Sequence, residues 1–128
     1  MVKFNENIEL RKSLNNKYNY YIYKRNTRIC IGEINYRKFR VSGNIGDVGY
    51  SINKEFQGNG YAYQALELLG EKLYEDNIPN FVISVYDYNI ASKKIIEKYG
   101  GILQEKDDDI LIYNCDTKLC NRVFERNK

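Results

Sequence analysis

The apolar pattern of this chain first changes period at a glycine turn. Before Gln57, strand-forming residues come in short runs separated by turn residues: Tyr18 to Tyr23, Arg28 to Tyr36 and Asp47 to Ile52. After Gly60, Ala62, Ala65, Leu66, Leu69 and Leu73 recur at the spacing of one helix face over Tyr61 to Tyr74. Strand side chains repeat every two residues and helix side chains every 3.6, so one element type cannot serve both halves. The chain must build a sheet first and then lay a helix on it.

Arg25-Asn26-Thr27 breaks the first two runs into a hairpin, and Ser42-Gly43-Asn44 turns the chain into the third, giving a three-stranded antiparallel meander. Ile8 and Leu10 fall on one face of a short strand, with Asn15-Asn16 as a turn signal. Asn77-Ile78-Pro79-Asn80 stops the first helix. Phe81 to Tyr86 follows as a continuous apolar run, expected to be a central strand buried on both faces. A second helix is predicted from Ile90 to Tyr99, with Asn89 as N-cap and Gly100-Gly101 as the stop. Runs near Ile102 to Glu105 and Ile110 to Asn114 read as strands around the acidic turn Lys106 to Asp109. This order predicts an α/β fold: a mixed sheet, antiparallel in its N-terminal part, with helices on its faces. At 128 residues it is expected to be one domain, 1–128.

Composition narrows the chemistry. The chain has no histidine, which excludes Ser-His-Asp and Cys-His nucleophiles and imidazole metal sites. Cys30, Cys115 and Cys120 form no C-x-x-C pair, so no thiolate metal site is expected and reduced thiols are. A net charge of +3 is too small for a nucleic-acid footprint but suits a small anionic ligand. No apolar run approaches the roughly 20 residues of a membrane span, and the N-terminus lacks an apolar leader, so a cytoplasmic protein is expected.

Gln57-Gly58-Asn59-Gly60-Tyr61-Ala62 lies between the third strand and the first helix. Small residues there let backbone approach a ligand, and the helix's first amides and dipole favour a pyrophosphate. Without a following Gly-Lys-Ser/Thr it is no Walker loop. Ala62-Tyr63 lacks the third glycine of a dinucleotide fingerprint, and Asn80 stands where that motif needs an acid. A tight turn required only by backbone geometry is the competing reading.

Gln57 to Ala62 has the form Q/R-x-x-G-x-G/A, and Asn89 to Gly101 (NIASKKIIEKYGG) follows one helix, one strand and one turn later. Together these resemble the GNAT superfamily of acyl-CoA-dependent N-acyltransferases, over about Gly46 to Leu103. The second segment is similar to that of bacterial members acting on ribosomal proteins, antibiotics or polyamines. The resemblance implies a twisted, mostly antiparallel sheet splayed at the cofactor, acetyl-CoA, and an amine acceptor on a small molecule or peptide. It implies that the amides of Gly58, Asn59, Gly60, Tyr61 and Ala62 hold the pyrophosphate, with Gln57 opening the loop. Ser51 and Ile52 would pair with the pantetheine arm, the Ile52 amide also serving as oxyanion donor. Asn89 would bond the pantetheine or the acceptor, or else only cap its helix, and Ser92 would lie near the cofactor or bond within its own first turn.

Lys93, Lys94 and Lys98 read as a solvated face, and Ala91, Ile95 and Tyr99 as core. Relatives carry a tyrosine seven residues after the motif asparagine as the acid for the leaving thiolate; here that residue is Ile96. Ser92, Tyr86, Tyr88, Tyr99 or water are the substitutes, and Asp47 and Glu33 the nearest candidates for the base. The N-terminal helices with which relatives build the acceptor pocket are reduced here. That pocket is therefore expected to be open, completed by a homodimer partner, or missing, the last making the chain a non-catalytic acyl-CoA sensor.

Overall fold

A computed structural model describes residues 3–13, 17–38 and 45–118. Within them the order is β1 (Lys3–Phe4), β2 (Ile8–Lys12), β3 (Asn19–Lys24), β4 (Cys30–Arg37), β5 (Asp47–Ile52), a single 3-10 turn (Lys54–Phe56), α1 (Tyr61–Glu75), β6 (Asn80–Tyr86), α2 (Ile90–Tyr99), β7 (Ile102–Asp107) and β8 (Ile110–Asp116). Both helices fall where periodicity puts them. The expected Asn15-Asn16 and Ser42-Gly43-Asn44 turns and Cys120 lie outside the described residues.

The strands form an eight-stranded sheet, β1-β2-β3-β4-β5-β6-β8-β7. Every neighbouring pair is antiparallel except β5 and β6. The predicted three-stranded meander is thus five strands long, because β1 and β2 precede it. The first of these is only two residues and offers no sequence period to detect.

One face of the sheet carries the core. Leu10 stands opposite Ile22, Tyr20 opposite Ile34 and Tyr36 opposite Val48; Phe81, Ile83 and Val85 face Cys115, Tyr113 and Leu111. All are buried in one cluster with Leu66, Leu69 and Leu73 of α1 and Ile96 and Tyr99 of α2. Each such leucine contributes about 2 kcal/mol by leaving water. Both helices therefore share this face, where Tyr99 meets the Phe81 ring at 5.7 Å between centroids. The expectation that Phe81 to Tyr86 is buried on both faces is corrected. Val82 is half-buried while Ser84 and Tyr86 are exposed, because no described helix covers the second face.

Two devices set the sheet's shape. In β4 the register slips around Ile31, with Ile22 opposite Gly32 and Tyr23 opposite Cys30, which is a β-bulge. A Cβ at Gly32 would stand 2.1 Å from the Ser51 carbonyl oxygen of β5, so glycine permits this close approach. At the far end, the Tyr18 hydroxyl donates to the Asp76 carboxylate at 2.7 Å, tying the approach to β3 to the end of α1. That bond, with Lys72, holds the Asp76 carboxyl below its usual range.

Gly32→Ala should therefore lower the urea midpoint clearly, by pushing β5 off β4, whereas a substitution at exposed Lys94 should not. Because the Asp76 pKa is depressed in the folded state, its contribution is present at neutral pH and is lost as pH falls through the folded value. Asp76→Asn should thus be less stable than the parent at pH 7, with the difference shrinking by about pH 3, as urea titrations at the two pH values would show.

Candidate functional site

Asp47 and Val82 are the single register point between β5 and β6, supported by the Val82 amide donating to Gly46 O at 3.0 Å. Beyond it the two parallel strands part. The Tyr36 amide donates to Tyr18 O and the Asn53 amide to Ile31 O. Odd positions of β5 are thereby committed to β4, while Val48, Tyr50 and Ile52 turn their backbone groups toward the gap. The gap opens at the C-terminal ends of the parallel pair, where open α/β sheets place ligands.

Two cavities occupy it. A cleft of about 600 Å³ lies between the end of β5, the start of α1 and the start of α2. A second, about 220 Å³, lies between β5 and β6 beneath α2, with Gly49, Ser84 and Ile96 in its wall. Tyr50, Asn89 and Ser92 line both.

Gly58, Gly60, Tyr61 and Ala62 form one wall of the larger cleft. Gly58 and Gly60 have φ of 83° and 79°, the left-handed region glycine tolerates. Gly60 N-caps α1 without any side-chain hydrogen bond, and the first turn of α1 holds no acidic residue. Gln57 Nε2 donates to Ile52 O at 3.0 Å and Asn59 Nδ2 to Phe56 O at 3.0 Å, so both side chains fold back onto the turn. A Cβ at Gly58 would meet nothing within 4 Å. Uncapped amides, a helix dipole and open space fit a diphosphate.

Across the cleft, α2 begins with an ordinary cap: Asn89 Oδ1 accepts from the Ser92 amide at 3.1 Å. The Ser92 hydroxyl accepts from the Tyr50 hydroxyl at 3.1 Å, which joins α2 to β5 over the gap. Burial raises the Tyr50 phenol's pKa, while the bond to Ser92 works against this.

The structure brings Ser51, Ile52, Gln57, Gly58, Gly60, Tyr61, Ala62, Asn89 and Ser92 together around one cleft. Asn59 stands in the same turn, outside the cleft wall. Glu33 and Asp47 are elsewhere, on the face opposite the helices: Glu33 is exposed opposite Ser51, and Asp47 is paired with Arg37 at 3.0 Å at the closed end of the gap. Of the residues expected in the core, Tyr99 is there, Ile95 packs half-buried against it while also lining the cleft, and Ala91 is exposed in the cleft wall. The α2 stripe is split: Ile96 and Tyr99 face the core, and Ala91, Ser92 and Ile95 face the opening. The lysines are not a plain solvated face either. Lys93 pairs with Asp87 at 3.0 Å, and Lys98 lies 4.3 Å from the Tyr63 ring centre, clamping α2 to α1.

Tyr50 and Phe56 also line the cleft and sequence reasoning passed over both. Tyr50 was detectable, since in β5 it shares the face of Val48 and Ile52. Among the described residues no group of acidic or cysteine side chains is arranged to hold a metal, and no helix is long and apolar enough to cross a membrane. Asn89→Ala should remove the cap and cost about 1 kcal/mol, which a thermal melt would register as a lower midpoint even without ligand.

Residues 3–102 match the acetyltransferase (GNAT) domain family. No curated protein sequence matches the chain. Among solved structures, a GNAT-family acetyltransferase from Bacillus anthracis superposes with a TM-score of 0.77 at 14% identity, covering 91% of this chain and 99% of its own. A ribosomal-protein-S5-alanine acetyltransferase from Vibrio fischeri superposes at 0.67 and 20% identity, over 78% of this chain and 61% of its own. A Salmonella typhimurium protein solved with acetyl-CoA as its cofactor gives 0.67 at 12% identity, over 78% and 64%. This chain thus spans about three fifths of the length of the latter two.

Proposed function

Because the chain belongs to the acetyltransferase (GNAT) domain family, moving an acetyl group from acetyl-CoA to an amine, we propose that the two cavities divide that work between cofactor and acceptor. The observation that carries this division is the row of uncapped amides from Gly58 to Ala62 beside a gap that two parallel strands fail to close.

The amides of Gly58, Asn59, Gly60, Tyr61 and Ala62 bind the diphosphate, and Gln57 braces their loop through Ile52 O. The pantetheine arm runs along Ser51 and Ile52 toward the smaller cavity, with Asn89 and Ser92 on its other side. Acetyl-CoA supplies an activated thioester. The residues position it, and the Ile52 amide, turned into the gap, donates to the oxygen that gains charge. The amine, on a small molecule or a peptide chain, enters from the helix-free face past Gly49 and Ser84. That approach is supported by the open second face. No histidine is required, since the amine attacks directly and its ammonium proton passes to water. Asp47 is occupied by Arg37, so Glu33 is the carboxylate left to receive that proton through water. The work belongs in the cytoplasm, and every wall of the larger cleft comes from one chain.

Acetyl-CoA should raise the thermal midpoint of the purified protein, as linkage demands of a ligand bound to the folded state. Thiol release should follow when peptide N-termini, polyamines and aminoglycosides are offered. Gly60→Val forces a β-branched residue into a φ of 79°, so it should both rearrange the turn and fill the diphosphate space, weakening acetyl-CoA binding at least about tenfold, with a folded melt retained because the turn lies outside the core. Stabilisation without thiol release from any amine would make the chain a sensor, and no stabilisation at all would end this reading.

A further inference from the structure

The thiolate that leaves in this reaction needs a proton, and the residue seven positions after Asn89 is Ile96, which has none to give. Ile96 is 1% exposed and stands in the wall of the smaller cavity, so the acid must come from another element.

We propose that Tyr50, on β5, is the general acid of this enzyme, donating its hydroxyl proton to the departing sulfur while Ser92 holds that hydroxyl in place. The proposal rests on the reading of the two cavities given above. Three observations carry it. Tyr50 lines both cavities, so it stands where a thioester passing from one to the other must go. Its hydroxyl is fixed by the 3.1 Å bond to Ser92 at the first turn of α2, the helix whose later turn carries Ile96. The alternatives are placed elsewhere. Tyr99 is buried with its hydroxyl donating to Asp116 O at 3.0 Å, and Tyr88 is 72% exposed, stacked on Tyr86 at 5.1 Å. Tyr86 lines the smaller cavity but is half exposed on the helix-free face, where the acceptor enters.

The step balances as follows. The amine nitrogen forms its bond to the carbonyl carbon, and the carbon–sulfur bond breaks with its electron pair going to sulfur. As the sulfur arrives, the Tyr50 O–H turns from Ser92 Oγ to the sulfur and gives up its proton, yielding the free thiol, while the Ser92 O–H turns to donate to the phenolate oxygen. The surplus proton on nitrogen leaves to water, and a water-borne proton returns to Tyr50 through the Ser92 hydroxyl. Tyr50 begins the cycle protonated at neutral pH, as an ordinary phenol does, and burial acts in the same direction.

The deciding variant is Tyr50→Phe, which keeps the ring and removes the proton. Turnover should fall about 100-fold, while the KM for acetyl-CoA and the thermal shift it produces stay at parental values. Ser92→Ala should give a smaller fall. A second measurement does not depend on turnover. In protein labelled at tyrosine Cζ with carbon-13, the Tyr50 resonance should move further with CoA than with desulfo-CoA, since both fill the cavity and only the former presents a sulfur. Parental turnover in Tyr50→Phe, or identical Cζ shifts with both ligands, would overturn the assignment of Tyr50 and leave the cofactor site standing. A parent that acetyl-CoA does not stabilise would overturn the cofactor reading and this proposal together.

Discussion

Asp47 and Val82 hold β5 and β6 together at one point, and the parting of the strands beyond it governs the rest of the molecule. A continuous parallel ladder would satisfy the backbone of β5 on both edges and leave no entry between them. Because the ladder stops, Tyr50 and Ile52 present backbone groups to a cavity. Each helix begins close to that opening, since α1 follows β5 after one turn and α2 follows β6. The elements that flank the gap also build its walls, so cleft and fold are a single arrangement.

The remaining strands keep the gap from closing or collapsing. β4 holds the outer edge of β5 along its whole length, with Gly32 permitting the close approach at Ser51. β8 does the same for β6 over seven paired residues. The helices sit on one face in one continuous core, and Lys98 over the Tyr63 ring joins the last turn of α2 to the first turn of α1. The uncovered face leaves the gap accessible from below. The entries proposed for cofactor and acceptor then lie on opposite sides and do not compete.

Much of this was legible in the residues. The change of period at Gln57 placed the helix after the sheet, the two glycine-bearing segments gave the order of cradle and second helix, and the apolar pattern gave seven of the eight strands. What sequence could not carry was tertiary. β1 is two residues long, too short for a period. Phe81 to Tyr86 reads as doubly buried because β-branched and aromatic residues suit either environment, and only the one-sided helix layer settles which face is dry. Ala91 and Ile95 occupy a helix stripe that looks like core, and they turn out to line the cleft because β5 and β6 diverge beneath them. The strand period puts Tyr50 on the face of Val48 and Ile52, but nothing in the residues marks it out among 13 tyrosines as a site residue. Its bond to Ser92 joins residues 42 positions apart, a separation no local pattern encodes.

The claim on which the functional reading turns is that the amides from Gly58 to Ala62 receive a diphosphate. The direct measurement is a titration of nitrogen-15-labelled protein with CoA, followed by a second titration with pantetheine, which lacks the diphosphate. The amide resonances of Gly58, Asn59, Gly60, Tyr61 and Ala62 should shift most with CoA and stay in place with pantetheine, while those of Tyr50 and Ile52 respond to both. Resonances of the glycine turn that remain still under saturating CoA, with the largest shifts elsewhere on the sheet, would contradict it.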